Sequence, residues 1–183
     1  MVTFKPHTVI AATRSASELD SALEHDVEII FDLCPDLLTL QAVVDKVHAA
    51  GKHLFIHLDL AEGIGKDKSG IAFAKNAGVD GIISTRVNIV RAAKELGLFT
   101  VQRFFIVDSH SVDTSLEALR ASRADMIEIM PGIAFKAISR LRELTTVPII
   151  AGGLIDTREE IETAFSLGAA AISTGKRDLW RKL

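Results

Sequence analysis

Eight short runs rich in apolar and β-favouring residues recur along this 183-residue chain, and a segment with helical spacing separates each from the next. They are TVIAAT (8–13), VEIIFDL (27–33), HLFIHLDL (53–60), DGIIST (80–85), TVQRFFIVD (100–108), DMIEIM (125–130), VPIIAGG (147–153) and AAAISTG (169–175). Strands apolar on both faces and alternating with helices imply a parallel sheet covered by helices, not an antiparallel sheet with one wet side. Eight such units predict a closed (β/α)8 barrel. An open doubly wound sheet normally stops near five or six strands and often turns on glycines after the first. Here Thr13-Arg14-Ser15-Ala16-Ser17 follows the first run, with no glycine.

Between the runs, Ala42, Val43, Val47 and Ala50, or Leu116, Leu119 and Ala121, carry the helical period. Gly51, Gly78, Gly97 and Gly168 stand where helices should stop. The 48% hydrophobic content suffices for one core, and without a linker or low-complexity run we expect a single domain over residues 1–183. Barrels of this kind usually exceed about 200 residues, and only RDLWRKL follows the last run. Short loops and a truncated last helix are therefore expected, with exposed apolar surface that favours a homodimer.

A net charge of −3 gives no whole-molecule positive field, so any nucleic-acid partner must meet a local basic patch. The single cysteine, Cys34, cannot form an internal disulfide, and MVTFKPHTVIAAT lacks the layout of a signal peptide. No apolar run approaches the roughly 20 residues that span a bilayer. A cytoplasmic protein without a membrane segment is expected.

Function in such barrels gathers at the C-terminal ends of the strands. Gly152-Gly153 and Thr174-Gly175, on the last two units, bring unhindered N–H groups towards one spot and suit a phosphate, with Asp178-Leu179-Trp180 opening a short helix beside them. The alternative is that these glycines only make tight turns. Arg86 follows IIST, and Arg103 lies within a strand, where it must meet either a ligand phosphate or Glu128. Asp32, Asp59, Glu62 and Glu128 can take polyol hydroxyls or a divalent cation, and their spacing does not say which. His57 and Asp59 form either a general-base pair or a structural one. GIGKDKSG departs from the P-loop layout, no HExxH, CxxC or GxSxG occurs, and no strand run carries a lysine poised for Schiff-base chemistry. Two classes stay open, a ligand-binding protein and a small isomerase or lyase of phosphate sugars.

FIHLDLAEGIGKDKSGIAFAKNAGVDGIISTR, DMIEIMPG, VPIIAGGLI and ISTGKRDLW together resemble the glycerol uptake operon antiterminator family over nearly the whole chain. The resemblance implies a regulator and not an enzyme, one that needs no cofactor. It responds to glycerol 3-phosphate and acts on an mRNA leader so that transcription reads through a terminator. On that footing the phosphate is expected at the Gly153 and Gly175 N–H groups, and Asp59 and Glu62 are the first candidates for the glycerol hydroxyls or a bridging cation. Lys176, Arg177, Arg181 and Lys182 form the expected RNA-binding cluster, ahead of Arg120, Arg123, Arg140 and Arg142, with Trp180 as the exposed platform for stacking bases.

Overall fold

The computed structural model describes residues 2–181. Eight parallel strands, β1 (Thr8–Thr13), β2 (Ile29–Asp32), β3 (His53–His57), β4 (Gly81–Ser84), β5 (Phe99–Phe105), β6 (Met126–Met130), β7 (Ile149–Gly152) and β8 (Ala171–Thr174), close in sequence order into a barrel. Seven helices cover it: α1 (Ala16–Glu24), α2 (Leu40–Ala49), α3 (Lys68–Asn76), α4 (Val87–Glu95), α5 (Ser109–Ser122), α6 (Phe135–Leu144) and α7 (Arg158–Ser166). None of the described helices is long and apolar enough to cross a membrane.

The local chemistry explains how so short a chain completes the circuit. Ser15, Asp67, Asp108 and Thr157 cap α1, α3, α5 and α7, each accepting a backbone N–H of the first turn, so the loops enter their helices without slack. The predicted glycine stops hold: Gly51, Gly78, Gly97 and Gly168 all adopt positive φ just beyond a helix. Among the described residues β8 is followed by the 3-10 turn Arg177–Leu179 in place of a full helix, which meets the expectation of a truncated last helix.

At the site of the truncation itself the apolar surface is covered, while large apolar side chains stand exposed elsewhere, at Leu38, Phe105, Val107 and Leu154. Trp180 is fully buried in the core cluster that contains Leu19, Ala22 and Ile30, and its ring stands edge-on to His25 at 5.7 Å. Its Nε1 donates to the Thr174 carbonyl at 2.7 Å. One aromatic side chain thus fills the place of an eighth helix. Being fully buried, Trp180 is no base-stacking platform, and a three-residue turn has no period from which its inward direction could be read in the sequence.

Alternation along the strands sends one set of side chains into the barrel. In the lower half these are Ile10, Phe31, Phe55, Ile83, Val101, Met126 and Ile150, a single buried cluster. Phe55 lies at its centre, 5.4 Å from Phe31, 5.5 Å from Phe99 and 5.9 Å from Phe4, which the N-terminal segment brings beneath the strands. Gly81 makes room for that ring: a Cβ there would fall 2.3 Å from Phe55 Cε1. One step higher on the same faces come His57, Arg103, Glu128 and Ser173, all buried.

Candidate functional site at the barrel mouth

Arg103 and Glu128 are neighbours in register on β5 and β6, and Arg103 Nε donates to Glu128 Oε2 at 2.7 Å. With side chains 5% and 1% exposed, this is a buried ion pair, so of the two partners the sequence left open the protein itself supplies one. The pair is incomplete. Glu128 Oε1 is buried without a hydrogen-bond partner, as is His57 Nδ1, while His57 Nε2 has only the Asp59 carboxylate at 3.6 Å, beyond hydrogen-bond distance. The other guanidinium donors of Arg103 make no hydrogen bond among the described residues. Buried polar atoms are nearly always paired, and an unpaired one costs about 1–3 kcal/mol. Gly152 has a packing reason as well, since a Cβ there would lie 2.3 Å from Glu128 Oε1. The glycine lets the carboxylate lie across β7.

Asp59 has another task. It sits in the 3-10 turn Leu58–Leu60 just beyond β3, not on the strand as its spacing from His57 suggested. It accepts from Ser84 Oγ at 2.7 Å, from the Thr85 N–H at 2.7 Å and from Thr85 Oγ1 at 2.8 Å. His57 Nε2 stands 3.6 Å and Arg86 Nε 3.8 Å from its oxygens. Burial pushes the Asp59 carboxyl up, but the neighbouring His57, Ser84 and Thr85 together outweigh it and hold the group well below the usual carboxylate range. Asp59 therefore clamps the start of α4 to the end of β3, with little acceptor capacity left for a ligand. Glu62 is exposed at the rim, where its backbone bridges Asp36. Asp32 contrasts with Asp59: burial raises its pKa and only the Cys34 N–H opposes this. Among the described residues no group of three or more His, Cys, Asp or Glu is arranged to hold a metal ion.

The GIGKDKSG block is a self-bonded loop. Lys66 Nζ donates to the carbonyls of Ala61 and Ile64, and the Gly65 carbonyl packs so closely on Gly70 that any Cβ there would collide with it.

On the last two units the candidates separate. Gly153 has φ +74, its N–H points at the Ser173 carbonyl at 3.4 Å, and a Cβ would meet Met130 Cε at 2.7 Å. The Thr174 hydroxyl donates to the Ile155 carbonyl at 2.8 Å and accepts the Lys176 N–H at 3.1 Å, which leaves it no free donor. Gly175 is exposed, its N–H has no acceptor among the described residues, and the nearest atom to a Cβ there is the Ala12 carbonyl oxygen at 3.6 Å. Arg86 stands at the same mouth with more than half of its side chain exposed. The following 3-10 turn spans only three residues, too few for the helix dipole expected from Asp178-Leu179-Trp180.

The basic C-terminal residues do not form one patch. Lys176, 3.5 Å from Asp156, and Arg177 stand at the mouth. Arg181 lines a cavity of about 220 Å³ with His7, Asp26 and Glu28, at the opposite end of the strands. Lys182 lies outside the described residues.

Comparison with known proteins gives a consistent picture. The model of a family described as "Glycerol-3-phosphate responsive antiterminator" matches residues 9–180. The crystal structure of a glycerol uptake operon antiterminator regulatory protein from Listeria monocytogenes superposes with a TM-score of 0.92 at 31% identity, covering 98% of this chain and 97% of that one. A glycerol uptake operon antiterminator-related protein from Thermotoga maritima gives 0.86 at 31% identity, over 96% and 99%. The uncharacterized protein YgcP of Escherichia coli K12 is 36% identical over 177 residues, 96% of this chain and 93% of its own length.

Proposed function

This chain belongs to the glycerol-3-phosphate responsive antiterminator family, and we propose that it binds glycerol 3-phosphate in the barrel mouth and, when liganded, an mRNA leader in the cytoplasm, where it promotes antitermination. The observation that carries the small-molecule half is the gathering at the barrel mouth of buried polar atoms without hydrogen-bond partners, on Glu128 and His57. Gly175 offers an open N–H to a phosphate, and Arg86 stands across the mouth, after the facing strand β4. Glu128 Oε1 and the His57 ring offer buried acceptor and donor sites to hydroxyls. The hydroxyl-reading role therefore passes from Asp59 and Glu62 to Glu128 and His57. None of the eight strands carries a lysine, the amine that a Schiff-base lyase places in its barrel wall. Binding without turnover fits this wall.

Calorimetry on wild type, Gly175→Asp and Glu128→Gln tests the reading, with glycerol 3-phosphate, inorganic phosphate and glycerol as titrants. Gly175→Asp places a carboxylate where the phosphate belongs and should weaken both phosphates by about 100-fold. Glu128→Gln should weaken glycerol 3-phosphate about 10-fold and leave inorganic phosphate unchanged, the usual scale for one hydrogen bond to a charged group. Wild type that binds no glycerol 3-phosphate, or converts it at an enzymatic rate, overturns the proposal.

A further inference from the structure

The proposed reading requires an RNA surface, and the C-terminal residues expected to form it are divided between two ends of the barrel. A different place collects positive charge. Between α4 and α5 lies a groove of about 690 Å³ lined by Arg91, Lys94, Arg120 and Arg123, with Glu95 its one acidic wall residue and Asn88 at its upper end. Four cations against one anion stand out in a chain whose net charge is −3.

Two further observations separate this groove from an ordinary solvated helix surface. The first is the absence of ion pairs. Arg140 pairs with Asp113 at 3.1 Å and Arg158 with Glu162 at 3.0 Å, whereas Arg91, Arg120 and Arg123 have no such partner among the described residues; Lys68, Lys136 and Arg142 are unpaired too, but only here do three unpaired guanidinium groups line one groove. Only Lys94 is paired, with Asp125 at 2.6 Å. The second is backbone geometry. α2, α3, α4 and α7 are each followed by a glycine at positive φ, but α5 ends on Arg123 with φ +56 and ψ +36. A side chain in that left-handed region is strained where glycine is not. The chain holds an arginine in the one such helix end that lines the cationic groove, and strain of this kind collects at functional positions.

We infer that the α4–α5 groove is the RNA-docking surface of this protein and takes the phosphate backbone of an RNA strand. The inference rests on the antitermination reading. Guanidinium groups match phosphate geometry and are weakly hydrated, so an unpaired set of three is suited to backbone contacts. The groove also communicates with the mouth. Arg86 is the N-cap of α4, and the Ser84-Thr85 segment before it is held by Asp59, which links that clamp to a wall of the groove.

The test uses the full chain, saturating glycerol 3-phosphate and a fluorescein-labelled RNA of about 30 random nucleotides, read by anisotropy over roughly 50 to 200 mM salt. Arg91→Gln with Arg120→Gln and Arg123→Gly should lower affinity at least about 10-fold and flatten the salt slope by about 2, at about 0.7 per lost contact on a single strand. Arg158→Gln should bind as wild type does. Arg123→Gly alone should move two readouts in opposite directions, raising Tm by roughly 2 °C as strain is released while lowering RNA affinity about 3-fold. A purely structural role for Arg123 cannot produce that pair. Unchanged binding in the triple variant, with the loss appearing instead in Arg177→Gln with Arg181→Gln, overturns the groove and keeps the regulator. Wild type that binds no RNA, or that binds phosphatidylglycerol vesicles in its place, overturns both.

Discussion

The lower and upper halves of the barrel interior are built from the same strands, one residue pair apart, yet they obey opposite rules. Below, Phe4, Phe31, Phe55 and Phe99 fill the axis ring against ring, and even a glycine, Gly81, is shaped around Phe55. Above, His57, Arg103 and Glu128 occupy equally buried positions and leave polar atoms without partners. The first arrangement stabilises the fold. The second leaves buried polar groups unsatisfied, which costs stability, and on the reading proposed above a ligand would restore it.

Phe55→Ala should break the lower half most severely. Removing a fully buried phenyl ring from the centre of four aromatics costs about 3–5 kcal/mol, to be read from urea unfolding. If the halves are independent, whatever protein remains folded should bind glycerol 3-phosphate as wild type does. A large loss of affinity in that fraction would mean that the plug positions the mouth.

Next in size is the ion pair. Arg103→Met alone strands a buried carboxylate and should destabilise the protein by about 3 kcal/mol. Arg103→Met with Glu128→Leu removes both charges and should regain most of that stability, while glycerol 3-phosphate binding disappears. Unfolding curves and calorimetry on both variants check this. Ligand binding retained by the double variant would show that the upper half is structural after all.

Much of this organisation is legible before any coordinates. The eight runs, the glycine stops and the short ending follow from period and residue type, and so does the expectation that Arg103, fixed within a strand, needs a polar partner. Strand ends are less legible. HLFIHLDL reads as one run to residue 60, but β3 stops at His57 because Leu58–Leu60 turn while staying as apolar as the strand. The same turn sets Asp59 against Ser84 and Thr85. Which hydrogen bonds a group has already made is a matter of tertiary neighbours, and for that reason Thr174 and Asp59 carried the right chemistry with their capacity already committed. The division of the basic C-terminus has a related cause: one buried tryptophan carries the chain from one rim to the other.

The smallest expected effect lies in acid. Asp59 has a folded pKa held below its unfolded value, so its stabilisation is fully present above about pH 4 and is lost as pH falls through the folded value. The acid limb of the stability curve should flatten in Asp59→Asn. Thermal unfolding between about pH 2 and 5 measures it, and an identical limb in the variant would mean that the clamp is not charge-stabilised.

The aromatic plug also governs traffic. With Phe4 and Phe55 sealing the lower end, a small molecule held in the mouth has a single exit, and the way in is the way out. A long partner lying along the outer wall between two helices leaves that doorway unobstructed. Such a protein could go on exchanging its metabolite while engaged with a transcript, so that its occupancy would follow the present supply of glycerol 3-phosphate and not the supply at the moment of docking.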